Sequence, residues 1–209
     1  MIISESDRFY KIRLEAIKLL KNHSIDTSVE IDIIELIKLS GLSIKWKIQD
    51  LKGITGFTCI NTKKPSYCMF FDEQIFSNFP ARLNFTMAHE LGHIILDHFQ
   101  GTETSLIFNY SKEREANIFV DELLMPSENV IRKQMSVKEI ADTYNVSIAA
   151  AGNKIKYLKA NSIYIREAAT NYTYSFLNPK PYISDLDTYN SRMVKALHEH
   201  WLDPDYSIV

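Results

Sequence analysis

The residues with the clearest chemical potential form the segment His-Glu-Leu-Gly-His at positions 89–93. In a helix, His89 and His93 lie one turn apart and ~40° apart around the axis, so both imidazoles could reach one metal ion. Glu90 is offset by ~100°, beside the metal, where its carboxylate could accept a proton from a water. This spacing is typical of a zinc hydrolase, with the histidines as ligands and Glu90 as general base.

A catalytic zinc site needs a third protein ligand and an open position for water. Four downstream residues are candidates for this ligand, namely Asp97, His98, Glu113 and Glu115. His98 follows His93 by five residues, which is a poor angular match on one helix, whereas Asp97 follows by four and is in phase. The remaining two candidates belong to the next predicted helix.

The helix predicted over about 112–125 favours Glu113 as the third ligand. Its apolar face consists of Ala116, Phe119, Val120, Leu123 and Leu124. Glu113 lies ~50° from the centre of that face and can point inward, whereas Glu115 lies ~110° away and is expected to be solvated. Asn117 comes one turn after Glu113, where it could hold a ligating histidine by its free ring nitrogen.

The elements before the zinc helix are two helices followed by strands. Asp26, Thr27 and Ser28 are N-cap candidates for the second helix, and Gly41 is a suitable residue to end it. Between Ser43 and about Glu73, alternating and β-branched residues predict two or three short strands, in an antiparallel or mixed sheet. The simplest arrangement of these strands is an antiparallel meander.

The second half of the chain is predicted to be helical. The zinc helix is expected to begin at about Pro80 with Asn78 as its cap, and the helix after it to end at Pro126. Two more helical segments fill Ser136–Leu158 with Asn145 at the turn between them. Helices, then strands, then helices indicate an α+β domain.

Composition narrows the functional classes. The 209 residues carry 24 Lys and Arg against 26 Asp and Glu, which argues against a domain that holds nucleic acid mainly by charge. Two cysteines, Cys59 and Cys68, cannot form a disulfide scaffold, and we interpret them as small buried residues. Neither a signal peptide nor a membrane-spanning stretch is apparent, so we expect a cytoplasmic protein that does not associate with membranes.

The helical pair at 136–160 also fits a helix-turn-helix. Its lysines at 138, 154, 156 and 159 could contact phosphates, but Ala149–Ala151 offer little chemistry for reading bases. Packing on the core is the commoner role, so direct nucleic-acid binding is not expected. We assign residues 1–160 to one domain and 161–209 to an aromatic-rich C-terminal extension that covers this domain or a partner.

Two motifs in order resemble the ImmA/IrrE family of zinc metallo-endopeptidases. MAHELGHIILDH is similar to the family's AHELGH helix, and EREANIFVDELLMP to its E-x-x-A-N…LLMP helix. The resemblance extends over about residues 10–160. It implies a zincin-like metallopeptidase domain in which His89, His93 and Glu113 bind Zn²⁺ and Glu90 is the catalytic base. It also implies intracellular cleavage of a helix-turn-helix repressor that controls a mobile element or stress operon.

Other features of such an enzyme stay open at the level of sequence. Either Tyr110 or His98 could stabilise the oxyanion, and an extended substrate could add to an edge of the Ser43–Glu73 sheet. A competing hypothesis is a regulatory protein that binds a repressor, or less plausibly DNA, and retains a structural or vestigial zinc site. Glu90 favours the enzyme, because a structural site does not need a general base.

Overall fold

The protein, as a computed structural model, is described over residues 5–61, 66–99 and 109–160, with side chains from residue 8 onward. These residues form eight helices and one three-stranded sheet. In chain order the elements are α1 (Glu5–Asn22), α2 (Ile33–Leu39), β1 (Ile44–Gln49), β2 (Gly56–Asn61), β3 (Ser66–Asp72), α3 (Glu73–Asn78), α4 (Pro80–Ile95), α5 (Tyr110–Leu124), α6 (Ser127–Arg132), α7 (Val137–Tyr144) and α8 (Ile148–Ala160). The predicted α+β class is confirmed, and the C-terminal extension lies outside the described residues.

The sheet is mixed, so the predicted meander is wrong. The strand order is β1-β3-β2, with β1 parallel and β2 antiparallel to β3. The third strand takes the centre because Met69, Phe70 and Phe71 are all buried and supply apolar side chains to both faces. The first strand leaves Trp46 and Ile48 partly exposed, as befits an edge.

The N-cap residues of two helices differ from prediction. Helix α2 begins at Ile33, since the Asp32 carboxylate accepts a hydrogen bond from the Glu35 backbone N–H at 3.0 Å. At its other end Gly41 adopts φ +67°, the left-handed conformation expected just after a helix. Helix α4 does begin at Pro80, but its N-cap residue is Phe79 rather than Asn78.

The sequence analysis missed two short helices. Asp72 ends β3 and accepts a hydrogen bond from the Gln74 backbone N–H at 3.0 Å, which starts α3 seven residues before Pro80. Helix α6 follows Pro126, where Glu122 accepts hydrogen bonds from the Ser127 N–H and hydroxyl at 2.9 and 2.6 Å. Neither segment is long enough to show a helical period in sequence.

Helices α4 and α5 pack closely in the main core, together with α1, α2 and the sheet. Gly92 makes this approach possible, because a Cβ there would lie 3.0 Å from the Phe119 ring. The close packing brings the N-terminal turns of α5 alongside the two histidines of α4.

The C-terminal helical pair joins the domain through buried charges. A capping box at Ser136 begins α7, and Asn145, at φ 49°, makes the predicted turn before α8. Lys154 on α8 is fully buried and lies 2.8 Å from Glu122 and 3.2 Å from Asp121. Arg13 of α1 contacts the same two carboxylates, Asp121 at 2.7 Å and Glu122 at 3.1 Å.

No helix within the described ranges combines the length and apolar character that a membrane crossing requires.

Candidate metal centre

Helix α4 presents its two histidines as the spacing predicts. The Nε2 atoms of His89 and His93 lie 3.1 Å apart, and both side chains are mostly buried. The other side of the same helix carries Leu91 and Ile94 into the core, which fixes the rotation of the helix. Both imidazoles therefore converge on one point with Nε2 as the inward atom.

Glu113 of α5 completes this group. Its Oε2 lies 3.1 Å from His89 Nε2, and its Oε1 lies 3.4 Å from His93 Nε2. Helix α5 begins at this point because the Asn109 side chain accepts hydrogen bonds from the backbone N–H groups of Ser111 and Lys112. Glu113 thus lies in the first turn, facing α4.

The three side chains fit a tetrahedral zinc ion. Their ligand atoms all lie within 4.8 Å of one another. Zn–N and Zn–O bonds of about 2.0–2.1 Å place neighbouring ligand atoms of a tetrahedron about 3.3–3.4 Å apart. The three observed separations are 3.1, 3.1 and 3.4 Å. Two neutral imidazoles and one carboxylate are also a donor set that divalent zinc accepts, with a fourth position left for water.

Electrostatics favour an ionised Glu113. Burial alone would raise the pKa of Glu113, but hydrogen bonds from His89 and His93 hold it well below its usual range. Burial would likewise lower the pKa of His89, yet the hydrogen bond that His89 donates to Glu113 and the charge of Glu90 raise it overall. Without metal, the group therefore attracts a cation, because a carboxylate faces two basic nitrogens.

Glu90 is buried at 8% exposure and is held by a residue that the sequence analysis did not identify. The Thr58 hydroxyl, on β2, donates a hydrogen bond of 2.7 Å to Glu90 Oε2. Thr58 is itself 3% exposed. A lone threonine in a β-branched strand carries no sequence signal of this role, because the packing of β2 on α4 creates it.

Asp97 and His98 do not join the three-residue group, although both were candidates for the third ligand. Helix α4 ends at Ile95, and Asp97 lies beyond it, exposed and in a left-handed turn at φ 54°. The helical phase that favoured Asp97 therefore no longer applies. His98 is buried behind His93, with its Nδ1 3.0 Å from His93 Nδ1, on the ring nitrogen that does not face Glu113.

The prediction that Glu115 is solvated is wrong. Glu115 is 5% exposed, and its Oε2 lies 3.3 Å from His98 Nε2. Its Oε1 lies 2.5 Å from the Arg8 guanidinium of α1. The phase of α5 alone gave the opposite expectation, since it takes no account of α1 packing against a second side of α5.

Asn117 is the residue that the sequence analysis proposes to hold a ligating histidine by its free ring nitrogen. His89 Nδ1 is buried without a hydrogen-bond partner among the described residues. Asn117 is exposed, one turn after Glu113, and is the weakest of the causes that raise the pKa of His89. A role for Asn117 in holding His89 stays a prediction.

The two candidates for oxyanion stabilisation differ in position. His98 is enclosed between His93 and Glu115, so its ring nitrogens are engaged away from a substrate. Tyr110 begins α5, is exposed, and lines a cavity with Arg8, Phe9 and Arg114. Tyr110 therefore stays the candidate of the two.

A small mixed sheet beside two helices that bring two histidines and a glutamate together defines a zincin-like α+β domain with metallopeptidase-like character. Residues 77–156 match the Peptidase_M78 family model, which is described as the IrrE N-terminal-like domain. This match runs from the end of α3 into α8 and confirms the predicted resemblance to the ImmA/IrrE family. A comparison with curated proteins gave no match.

Proposed function

We propose that this protein is a zinc-dependent endopeptidase. The observation that carries the proposal is the convergence of His89 Nε2, His93 Nε2 and the Glu113 carboxylate at spacings of 3.1–3.4 Å. His89, His93 and Glu113 would hold the ion, which when bound would polarise a peptide carbonyl and acidify a water.

Glu90 is the residue that would transfer the proton in this reaction. Its carboxylate accepts a proton from the attacking water and returns it to the leaving amine as the peptide bond breaks. Thr58 keeps the carboxylate in place through its 2.7 Å hydrogen bond, so little reorganisation precedes transfer. Burial of both side chains limits competing contacts with bulk water.

For the substrate, we propose a helix-turn-helix repressor, cleaved in an extended segment. The family resemblance supports this choice. The second strand lies at the outside of the described sheet and carries Thr58, so a peptide strand added there would run beside Glu90. The exposed Phe85 ring, 6.3 Å from the His89 ring centre, offers an apolar contact for a substrate side chain.

One observation weakens the competing DNA-binding hypothesis. Lys154, one of the four lysines available for phosphate contacts, is fully buried and paired with Asp121 and Glu122. A protein that binds a repressor without cutting it would need the same repressor-binding surface as a peptidase. Only an experiment that measures cleavage distinguishes these two hypotheses.

The test is a cleavage time course with the Glu90→Gln variant. The substrates tested are helix-turn-helix repressors from the source genome, those encoded nearest this protein's gene first, and metal content is measured on the same preparations. We expect zinc to be retained and the cleavage rate to fall by about 10²–10⁴-fold, because glutamine cannot accept the proton. Glu128→Gln, at an exposed position on α6, is the matched control and should cleave at the parent rate.

Cleavage by Glu90→Gln at the parent rate, with zinc bound, would overturn the mechanism. Binding and release of the repressor from its operator without cleavage, by parent and variant alike, would establish the non-proteolytic function instead.

A further inference from the structure

Behind His93, a continuous set of hydrogen bonds leads away from the metal centre. His93 Nδ1 lies 3.0 Å from His98 Nδ1, and His98 Nε2 lies 3.3 Å from Glu115 Oε2. The Lys112 ammonium donates to the His98 carbonyl oxygen at 2.5 Å, and the His98 N–H donates to the His93 carbonyl oxygen at 3.0 Å. These contacts hold the His98 ring from both its side chain and its backbone.

The direction of each hydrogen bond follows from which nitrogen of the His93 ring faces Glu113. If His93 uses Nε2 as a ligand, its neutral ring carries the proton on Nδ1 and donates it to His98 Nδ1. His98 must then accept through Nδ1, so its own proton resides on Nε2 and is donated to Glu115. Every atom along this path thus has one role.

The far end of the path is fixed by two further contacts. Glu115 Oε1 accepts a hydrogen bond from the Ser111 hydroxyl at 3.1 Å and contacts Arg8 at 2.5 Å. Glu115 and His98 are 5% and 6% exposed, so water does not compete freely for these groups. A buried carboxylate with a cation behind it is a firm acceptor for the His98 N–H.

We propose that His98 and Glu115 are positioning residues of the metal centre, which fix the tautomer and orientation of His93. This inference rests on the proposed function, because it takes His93 as a zinc ligand. An acceptor for the second ring nitrogen directs the first at the metal and makes it a better donor. Here the acceptor is an imidazole supported by a carboxylate, and no contact of either residue with a substrate is required.

Replacing His98 or Glu115 should change the zinc affinity of the protein. The test measures zinc dissociation constants by competition with a chelator, together with the visible spectrum of the Co²⁺-loaded protein. The variants are His98→Leu, which removes the acceptor, and His98→Asn, whose amide oxygen can replace Nδ1 as acceptor. Glu115→Gln keeps an acceptor for His98 but removes the charge. Leu124→Ala, in the core on the same helix as Glu115, is the control for general destabilisation.

We expect His98→Leu to bind zinc about 10–100-fold more weakly and to change the Co²⁺ spectrum. His98→Asn should recover much of the affinity and the parent spectrum, Glu115→Gln should be intermediate, and Leu124→Ala should resemble the parent in both. If His98→Leu does not fold, weaker binding by Glu115→Gln relative to Leu124→Ala still supports the inference.

Equal affinities of the parent, His98→Leu and Glu115→Gln would overturn it. Complete loss of zinc from His98→Leu, equal to the loss from His93→Ala, would also overturn it, because His98 would then be a ligand. Failure of the parent protein to bind zinc would contradict the proposed function itself, and is thus distinguishable from both results.

Discussion

The hydroxyl of Thr58 donates a 2.7 Å hydrogen bond to Oε2 of Glu90 and thereby connects the sheet to the proposed general base. Both residues are buried, so the bond is not exchanged readily for one to water. The position of Glu90 consequently depends on β2 as well as on its own helix.

Replacing Thr58 with valine should slow cleavage without affecting the metal. Valine has nearly the same shape but no donor, so the carboxylate loses its anchor at a cost of roughly one hydrogen bond to a charged group. We expect kcat to fall by about tenfold, with zinc content unchanged and with Thr58→Ser close to the parent. Parent-like kcat in the valine variant would show that Glu90 needs no such anchor.

Removal of the Glu113 carboxylate should weaken zinc binding more than removal of the Glu115 carboxylate. Glu113 faces both histidine Nε2 atoms, whereas Glu115 reaches the site only through His98. We expect zinc affinity to fall more than about 100-fold in Glu113→Ala and by a smaller factor in Glu115→Ala. Chelator competition on variants with verified folds measures both affinities. The reverse ranking would refute our choice of third ligand.

The two cysteines should react slowly with alkylating reagents in the folded protein. Cys59 and Cys68 are free thiols that lie opposite each other on β2 and β3. Burial, only partly offset by Lys47 and Lys45, raises the pKa of Cys68 to about 11, and burial raises the pKa of Cys59 further. Since the thiolate is the reactive form, alkylation of Cys68 should still accelerate above pH 9.

Peptide mapping by mass spectrometry would give the rate at each cysteine as a function of pH. Cys68, which is half-buried, should label before Cys59, and urea-unfolded protein is the control in which both rates level off near pH 9. A plateau near pH 9 for Cys68 in the folded protein would contradict this prediction.

Replacing Lys154 with methionine should strongly destabilise the domain. The side chain is fully buried with Asp121 and Glu122, so its loss leaves Arg13 as the cation facing two carboxylates. We expect the free energy of unfolding to fall by about 3–5 kcal/mol in urea denaturation. Lys138→Met, at an exposed position on α7, is the control and should leave the free energy of unfolding nearly unchanged. An equal decrease in both variants would contradict a specific role for Lys154.

Sequence predicted the parts of the site that one helix determines by itself. The spacing of His89 and His93 and the phase of Glu113 follow from 3.6 residues per turn, and the structure brings these three side chains together. Contacts between elements were not predictable in this way. Thr58 reaches Glu90 only because β2 packs on α4, and Glu115 is buried only because α1 covers α5.

Strand pairing was predicted incorrectly for the same reason, because it also depends on contacts between elements. Alternation and turn residues identified strands between Ser43 and Glu73, but pairing depends on which strand can bury both faces. The apolar run Met69–Phe71 makes β3 the central strand and leaves β1 and β2 at its sides. Without that comparison between strands, neighbours in sequence were expected to pair.

The proposed general base is anchored to a strand, whereas the three proposed metal ligands lie on two helices. In the proposed enzyme, metal loading and bond cleavage are consequently separable. A change confined to β2 should slow cleavage while leaving a fully loaded protein, so bound metal alone would be no measure of activity. Such a protein would retain the surface proposed for its substrate, so loss of cleavage alone would turn the proposed enzyme into a binding module.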